Sequence, residues 1–527
     1  MKNKYFTVGL FLIFLVGLFL RTVNLSSNPP HLGNDEISVA FDSYSIRTIG
    51  RDEHGKAYPL SFKSHQTYKA PLYAYLNIPF NYLFGNNEYG VRFLSVVSGS
   101  ILILVVSILA AELAGPWVGL AAGILMAMNP KAITVSRIAF ESNLAVLVMT
   151  AGVWTMYLYK KTKKLFYLIL AGVLMGFSIW GYHTQWGLTP MLAVALPLIW
   201  RKEIPLKKWW LMWLLVIMIA LPIAADFLLV QRKDIYNRAS SQIWLSDGQL
   251  KDYLKDSEDG WAKKSFVVVS APIFNYLDQT DLAGMFGGGI DLFESNHSLE
   301  QGWFLLGCLP LFLVGMWKGK IIFGKNFDWL LAWFLLCPVV PALTLGGISS
   351  VRNISMLVPV IIIMAGGGWW LYENKRKWFW GLILVLKFNF VIFAAAYYLQ
   401  FPRFSADGFQ YGYKQAWEFI KPIEKNYDLV VVEGKFGRFG QFVGVPHLYF
   451  GYFGAFPVEA MQKRTDVGGT RIDKFWFRGV DWNDEEIKPK TLYVVSVINP
   501  TSWDKMNLLG EIKKLGGDVQ FLVYEVR

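Results

Sequence analysis

Two adjacent carboxylates, Asp35 and Glu36, follow a Gly-Asn pair near the head of a polar stretch, residues 31–92, set between two apolar segments. A carboxylate pair at a membrane surface can supply a general base or hold a divalent cation. The same pair can also do no more than cap a helix and charge its first turn. Farther along, Lys69 stands before Ala70-Pro71 and an aromatic segment, and Arg92 opens the second apolar run. Lysine as a point charge and arginine as a fork would together suit a phosphate at lipid-headgroup depth. Apart, each is an interfacial anchor whose head snorkels to water. Arg137 and Glu141 lie four apart, the spacing of an ion pair on one helix face. Arg352, after Gly-Gly-Ile-Ser-Ser, is another cation at the mouth of an apolar run. A second acidic pair, Asp52-Glu53, and the six histidines, among them His183 and His297, leave room for a divalent ion without defining a ligand set.

These groups need elements to hold them. The chain has 527 residues, 54% hydrophobic and only 17% charged, which places it among polytopic membrane proteins. A span takes about 20 apolar residues. Such segments fall at 5–22, 92–113, 116–133, 141–159, 165–183, 186–200, 208–230, 302–317, 327–345, 354–372 and 378–400. The net charge of +12 comes from short basic runs between them, such as Lys160-Lys161 and Lys375-Arg376-Lys377. That is a pattern of topology, and it argues against a nucleic-acid face. With about eleven crossings, every such cluster falls on the cytoplasmic side, so the N-terminus is expected inside and the C-terminus outside.

Residues 71–84 are apolar but short for crossing and are expected to lie along the outer interface. The polar regions expected outside are 23–91, 231–301 and 401–527. The last reads as a small α/β domain, with helical spacing at 413–423 and buried strands at 428–432, 492–497 and 519–526. The fold class expected is therefore a polytopic α-helical membrane domain, residues 1–400, followed by an extracytoplasmic α/β domain. Cys308 and Cys337 sit in apolar runs with no metal or disulfide spacing. The glycine-rich run at 284–291 lacks the Lys-Ser/Thr of a phosphate cradle, and Gly366-Gly367-Gly368 is expected to let helices approach closely.

In order and placement, several motifs resemble those of the C-type polytopic glycosyltransferases, in the branch of protein O-mannosyltransferases and lipid A aminoarabinose transferases (family 39 and its bacterial relatives). They are the Asp-Glu pair after the first span, KAPLY at 69–73, LFG at 83–85 and RFLS at 92–95. They continue with SRIAFESNL at 136–144, NHSLEQGWFLLGCLPLFLVGM at 296–316 and PALTLGGISSVRN at 341–353. The likeness covers most of residues 1–400, and YGYKQAWEFI and DLVVVEG in the tail are similar to bacterial members.

The resemblance implies transfer of one sugar from a polyprenyl-phosphate carrier to an acceptor on the outer face, with inversion. It assigns Asp35 as base with Glu36 beside it, and Lys69, Arg92, Arg137 and Arg352 to the donor phosphate. Asp52, Glu53, Glu141, His183 and His297 remain candidates for contacts with substrate. The implied partners are the membrane and its sugar lipid; the acceptor is open, no cofactor is specified, and a divalent cation stays open. Where the family usually has two prolines after the lysine, this chain has Ala70-Pro71. Nothing resembles the β-trefoil insert of the eukaryotic enzymes, so a protein acceptor is not implied. The alternative, a lipid transporter or flippase, calls for ionisable groups near mid-bilayer in paired halves, whereas these charges gather at one face.

Overall fold

The computed structural model describes residues 4–64, 67–230, 243–246, 248–257, 259–288, 302–344, 351–437, 442–466, 468–501 and 504–526. Helix α1 (Lys4–Thr22) is followed by α2 (Asn34–Ile49), a short hairpin of β1 (Phe62–Ser64) and β2 (Thr67–Lys69), and α3 (Leu72–Phe84). Then come α4 (Glu88–Ala114), α5 (Pro116–Met128), α6 (Pro130–Ser136) and α7 (Glu141–Thr162).

Among the described residues, seven helices are long and apolar enough to cross a membrane: α1, α4, α7, Leu206–Leu229, Leu306–Phe323, Ile354–Asn374 and Arg376–Phe404. The segment expected at 116–133 is a pair, α5 and α6, bent by 58°, and counts as an eighth if it is one span. The break has a local cause. Asn129 accepts from the Ala132 N–H at 2.8 Å and Pro130 takes the first helical position, so a new helix starts there. Two other expected segments are shorter apolar helices, Leu165–Ile179 and Asn326–Ala342, and Gln185–Ile199 carries Pro190 and Pro197. The described residues therefore give seven or eight full-length candidates, and the count of about eleven read from hydropathy is not confirmed by length alone. Helices Leu309–Phe323 and Leu357–Asn374 meet backbone to backbone: a Cβ on Gly367 would strike the Leu311 carbonyl, and one on Gly315 the Ile363 carbonyl. The glycine run does permit the close approach expected of it.

The tail folds around a six-stranded sheet. Its strands are β3 (Leu429–Val432), β6 (Thr470–Ile472), β7 (Phe475–Phe477), β8 (Thr491–Ser496), β9 (Met506–Lys513) and β10 (Val519–Val526), with β4 (Lys435–Phe436) and β5 (Phe442–Val443) forming a separate pair. The order is β6-β7-β3-β8-β10-β9; β3 is parallel to β7 and β8, and β10 is antiparallel to β8 and β9. The three strands and the helix (Tyr413–Ile420) read from the sequence are present. Strand β9 and the β6–β7 hairpin were not anticipated.

The tail does not hang free. Leu32, Ile37, Phe41 and Tyr73 of the first polar region share one hydrophobic core with Trp417, Tyr449, Phe450 and Val494. Hydrogen bonds cross the same seam: Tyr449 Oη donates to the Leu32 carbonyl at 2.6 Å, and Asn81 Nδ2 to Tyr452 Oη at 2.9 Å. Lys414 pairs with Glu88 at 2.7 Å. The tail and the region after α1 are thus at one end of the bundle, opposite the start of α1.

Candidate active site

Helix α2 is the scaffold. Asp35 and Glu36 occupy its first turn, where carboxylates suit the helix dipole, and Gly50 closes it in the left-handed conformation (φ 67°) with its N–H on the Ile46 carbonyl. Because an α-helix turns about 100° per residue, Asp35, Ser38 and Asp42 fall on one stripe while Glu36 points elsewhere. The two neighbouring acids therefore have separate fates.

Glu36 is buried against Arg92. Its Oε1 accepts from Arg92 Nε at 2.8 Å and from the Ala139 N–H at 2.9 Å; its Oε2 accepts from Arg92 Nη2 and from the Gly33 N–H, both at 3.0 Å. Arg92 spends its remaining donors on the carbonyls of Leu25, Pro29 and His31 at 3.0, 2.9 and 2.5 Å. All five guanidinium N–H groups are occupied, and the side chain is 0% exposed. This geometry leaves Glu36 no lone pair and Arg92 no donor for a substrate. The pair that sequence reasoning put beside the base and at the phosphate instead clamps the turn after α1 to α2 and α4.

Arg137 is also fully buried, with Nη1 on the Leu20 carbonyl at 3.1 Å and Nη2 on that of Asn28 at 2.7 Å. Its guanidinium lies 5.7 and 5.1 Å from the ring centres of Tyr397 and Tyr398. It ends α6, whereas Glu141 opens α7, so the two do not share a helix as their spacing suggested. Arg21, which sequence reading passed over, is a further buried arginine: it bonds the carbonyls of Gly17, Met126 and Ala127 and the Ser136 hydroxyl.

Lys69 presents a different picture. At the end of the β1–β2 hairpin, paired in register with Phe62, it reaches the α2 stripe and donates to Ser38 Oγ at 2.6 Å and Asp42 Oδ2 at 2.5 Å. Ser38 Oγ is 3.1 Å from Ser64 Oγ. Two of the three ammonium hydrogens are used and one remains; the side chain is 11% exposed. Asp42, absent from the sequence reading, is buried, and its carboxyl is pushed up to about 7 by burial, against the pull of Lys69 and with a further push from Glu53 and Asp52. Asp35, exposed one turn N-terminal of Ser38, is open to solvent on the same stripe.

The second acidic pair faces this cluster from the loop before β1. Asp52 Oδ1 accepts the N–H groups of His54 and Lys56 at 2.9 and 2.8 Å, shaping a turn. Glu53 is paired with Arg464 of the tail at 2.8 Å. Burial raises its pKa, but Arg464, His54 and His447 outweigh that and hold it below the usual carboxylate value. The loop is also pinned by Lys56 to Asp226 at 3.0 Å and by Ser61 to the same carboxylate at 2.5 Å.

His183 is half-buried with its ring 5.4 Å from that of Trp186, and Arg352 donates to Thr344 Oγ1 at 3.0 Å. His297 lies outside the described residues. Among the described residues no group of three or more His, Cys, Asp or Glu is placed to hold a metal ion.

Residues 68–227 match the family model described as dolichyl-phosphate-mannose-protein mannosyltransferase. Among solved structures, the fold matches ArnT from Cupriavidus metallidurans in the apo state, at 13% identity and a TM-score of 0.55, over 98% of each chain. It matches the same protein bound to undecaprenyl phosphate at 14% identity and a TM-score of 0.56, over 99% of this chain and 98% of that one. A search of curated proteins by sequence gave no match.

Proposed function

From a multi-pass C-type glycosyltransferase fold of the protein-mannosyltransferase and ArnT type, we propose that the chain is a membrane glycosyltransferase. It moves a single sugar from a polyprenyl-phosphate donor to an acceptor on the outer face, where the tail and the region after α1 are situated. Lys69 holds the donor phosphate, and Asp35 acts as base.

The observation that carries this reading is the α2 stripe. Ser38 and Asp42, the contacts of Lys69, lie roughly 4.5 and 10.5 Å along the axis from Asp35, on the same side of the helix. That interval accommodates one sugar between a cation and a carboxylate. The Asp35 carboxylate takes the proton of the acceptor hydroxyl, and the oxygen attacks the anomeric carbon. The bond to the phosphate oxygen breaks with its electron pair going to the phosphate, whose developing charge Lys69 stabilises. Attack opposite the leaving group inverts the anomeric carbon, and one base suffices. Arg352, Glu141, His183 and the Asp52-Glu53 turn remain candidates for acceptor or donor contacts; Glu36, Arg92 and Arg137 serve the frame that aims α2. The outward orientation agrees with the basic clusters at the opposite ends of the helices.

The test is product analysis by mass spectrometry. Purified protein in lipid nanodiscs is given a panel of polyprenyl-phosphate sugars and an extract of membrane acceptors. The reading expects one donor to be consumed with addition of a single sugar mass, lost in Lys69→Ala. Movement of intact donor across the bilayer with no glycosylated product would replace it with transport.

A further inference from the structure

Lys69 reaches the candidate site already neutralised. Its ammonium is 2.5 Å from the Asp42 carboxylate, which has no other ion-pair partner among the described residues. We infer that Asp42 is a resident counter-ion that must take up a proton, releasing the charge of Lys69, before an anionic sugar lipid binds tightly. The inference rests on the reading of Lys69 as the partner of the donor phosphate.

The geometry imposes the competition. An ammonium between two anions at contact distance has its charge divided, and in a site of low dielectric the carboxylate and the phosphate repel each other strongly. One ammonium hydrogen is still available for a phosphate oxygen, so the donor can dock without displacing Asp42; what it lacks is net positive charge. Protonating Asp42 supplies that charge without moving any heavy atom. The groups facing Asp42 favour this. Besides Lys69 on β2, the charges around it are the acids Asp52 and Glu53 on the loop before β1, and the Tyr75 phenol on α3, raised by burial first, is raised further by Asp52 and Asp42. Burial and the two acids together bring the carboxyl to about 7, so neutral pH lies on the slope of its titration. Its place also rules Asp42 out as the base. A base for in-line displacement must stand across the sugar from the leaving phosphate, whereas Asp42 touches the lysine that would hold that phosphate. Asp42 is thus a positioning residue, acting through Lys69.

The sign follows from linkage. Lower pH favours the protonated carboxyl and tight donor binding; higher pH weakens it. For one group titrating near 7, affinity falls about twofold from pH 6 to 7 and about fivefold from pH 7 to 8. The experiment measures binding of a polyprenyl methyl phosphodiester, whose own charge is constant over this range, to full-length protein in nanodiscs between pH 5.5 and 8.5. Native protein should follow that profile. Asp42→Asn, which keeps the shape and removes the charge, should give a flat profile and bind about tenfold more tightly than native at pH 8. Titration calorimetry of the native protein in two buffers of different ionisation enthalpy should record uptake approaching one proton per ligand at pH 8, which decides the matter even if the variant fails to fold. Equal pH slopes in native and Asp42→Asn, or no proton uptake, would overturn the counter-ion. Binding that is unchanged in Lys69→Ala would overturn the underlying reading of the lysine instead.

Discussion

Replacing Arg92 with alanine separates two jobs that one arginine could do. The side chain is fully buried and makes five hydrogen bonds, two to Glu36 and three to the carbonyls of Leu25, Pro29 and His31. Its loss strands three carbonyls and leaves the Glu36 carboxylate buried with only the Gly33 and Ala139 N–H groups. Summing five charge-assisted bonds would overstate the cost, since they act as one network. Breaking a buried ion pair by removing one partner costs about 3–5 kcal/mol, and that is the expected loss here. Lysine is a poor substitute, because a point charge cannot serve acceptors arranged around a planar fork. The assay is thermal unfolding of the purified protein in detergent followed by tryptophan fluorescence, with phosphodiester binding measured well below the transition. Arg92→Ala and Glu36→Gln should both lower the apparent melting temperature by several degrees, while Arg92→Ala that is still folded should bind with near-native affinity. An Arg92→Ala protein that melts like native yet fails to bind would refute this reasoning and return Arg92 to the phosphate.

Two further predictions concern pH and the seam between the tail and the region after α1. Glu53 is held below its ordinary pKa by Arg464, so its contribution is present above the unfolded value and lost as pH falls through the lower folded value. Hydrogen exchange should therefore rise around residues 51–58 and 462–464 in acid, and already at neutral pH in Arg464→Gln; unchanged exchange in that variant would contradict the seam's importance. His31, buried with Nδ1 near the Leu32 and Phe409 carbonyls, is pushed down to about 4, chiefly by burial. The unfolded chain takes up that proton near 6.5 and the folded chain does not, so stability should fall by about 2 kcal/mol between pH 7 and pH 5. Melting curves at the two pH values should show the drop, and His31→Gln should remove it.

What the sequence made legible was side-chain chemistry in local order. Asp35 and Lys69 stood out because an acid and a lysine in a polar stretch between apolar runs are conspicuous, and DLVVV and LYVVS announced buried strands. Arg92 looked the same as Lys69 by type, but its partners are mostly backbone carbonyls, which carry no residue signal. Asp42 was hidden between Phe41 and Ser43, where a polar residue on an amphipathic helix ordinarily faces water; only its i+7 spacing from Asp35 hinted at a shared stripe. The break at Asn129-Pro130 was masked by the apolar residues on both sides. Docking of the tail onto Leu32, Ile37 and Phe41 joins residues about 400 apart in the chain, beyond the reach of any local pattern.

The central claim is that Asp35 and Lys69 divide the work on one sugar lipid, and it is tested most directly by measuring donor binding and single-turnover transfer side by side in Asp35→Asn and Lys69→Ala. Asp35 is exposed, so its amide variant should fold and bind donor like native while transfer falls by about 10²–10⁴, and Lys69→Ala should lose donor binding itself. Near-native transfer by Asp35→Asn would contradict the account.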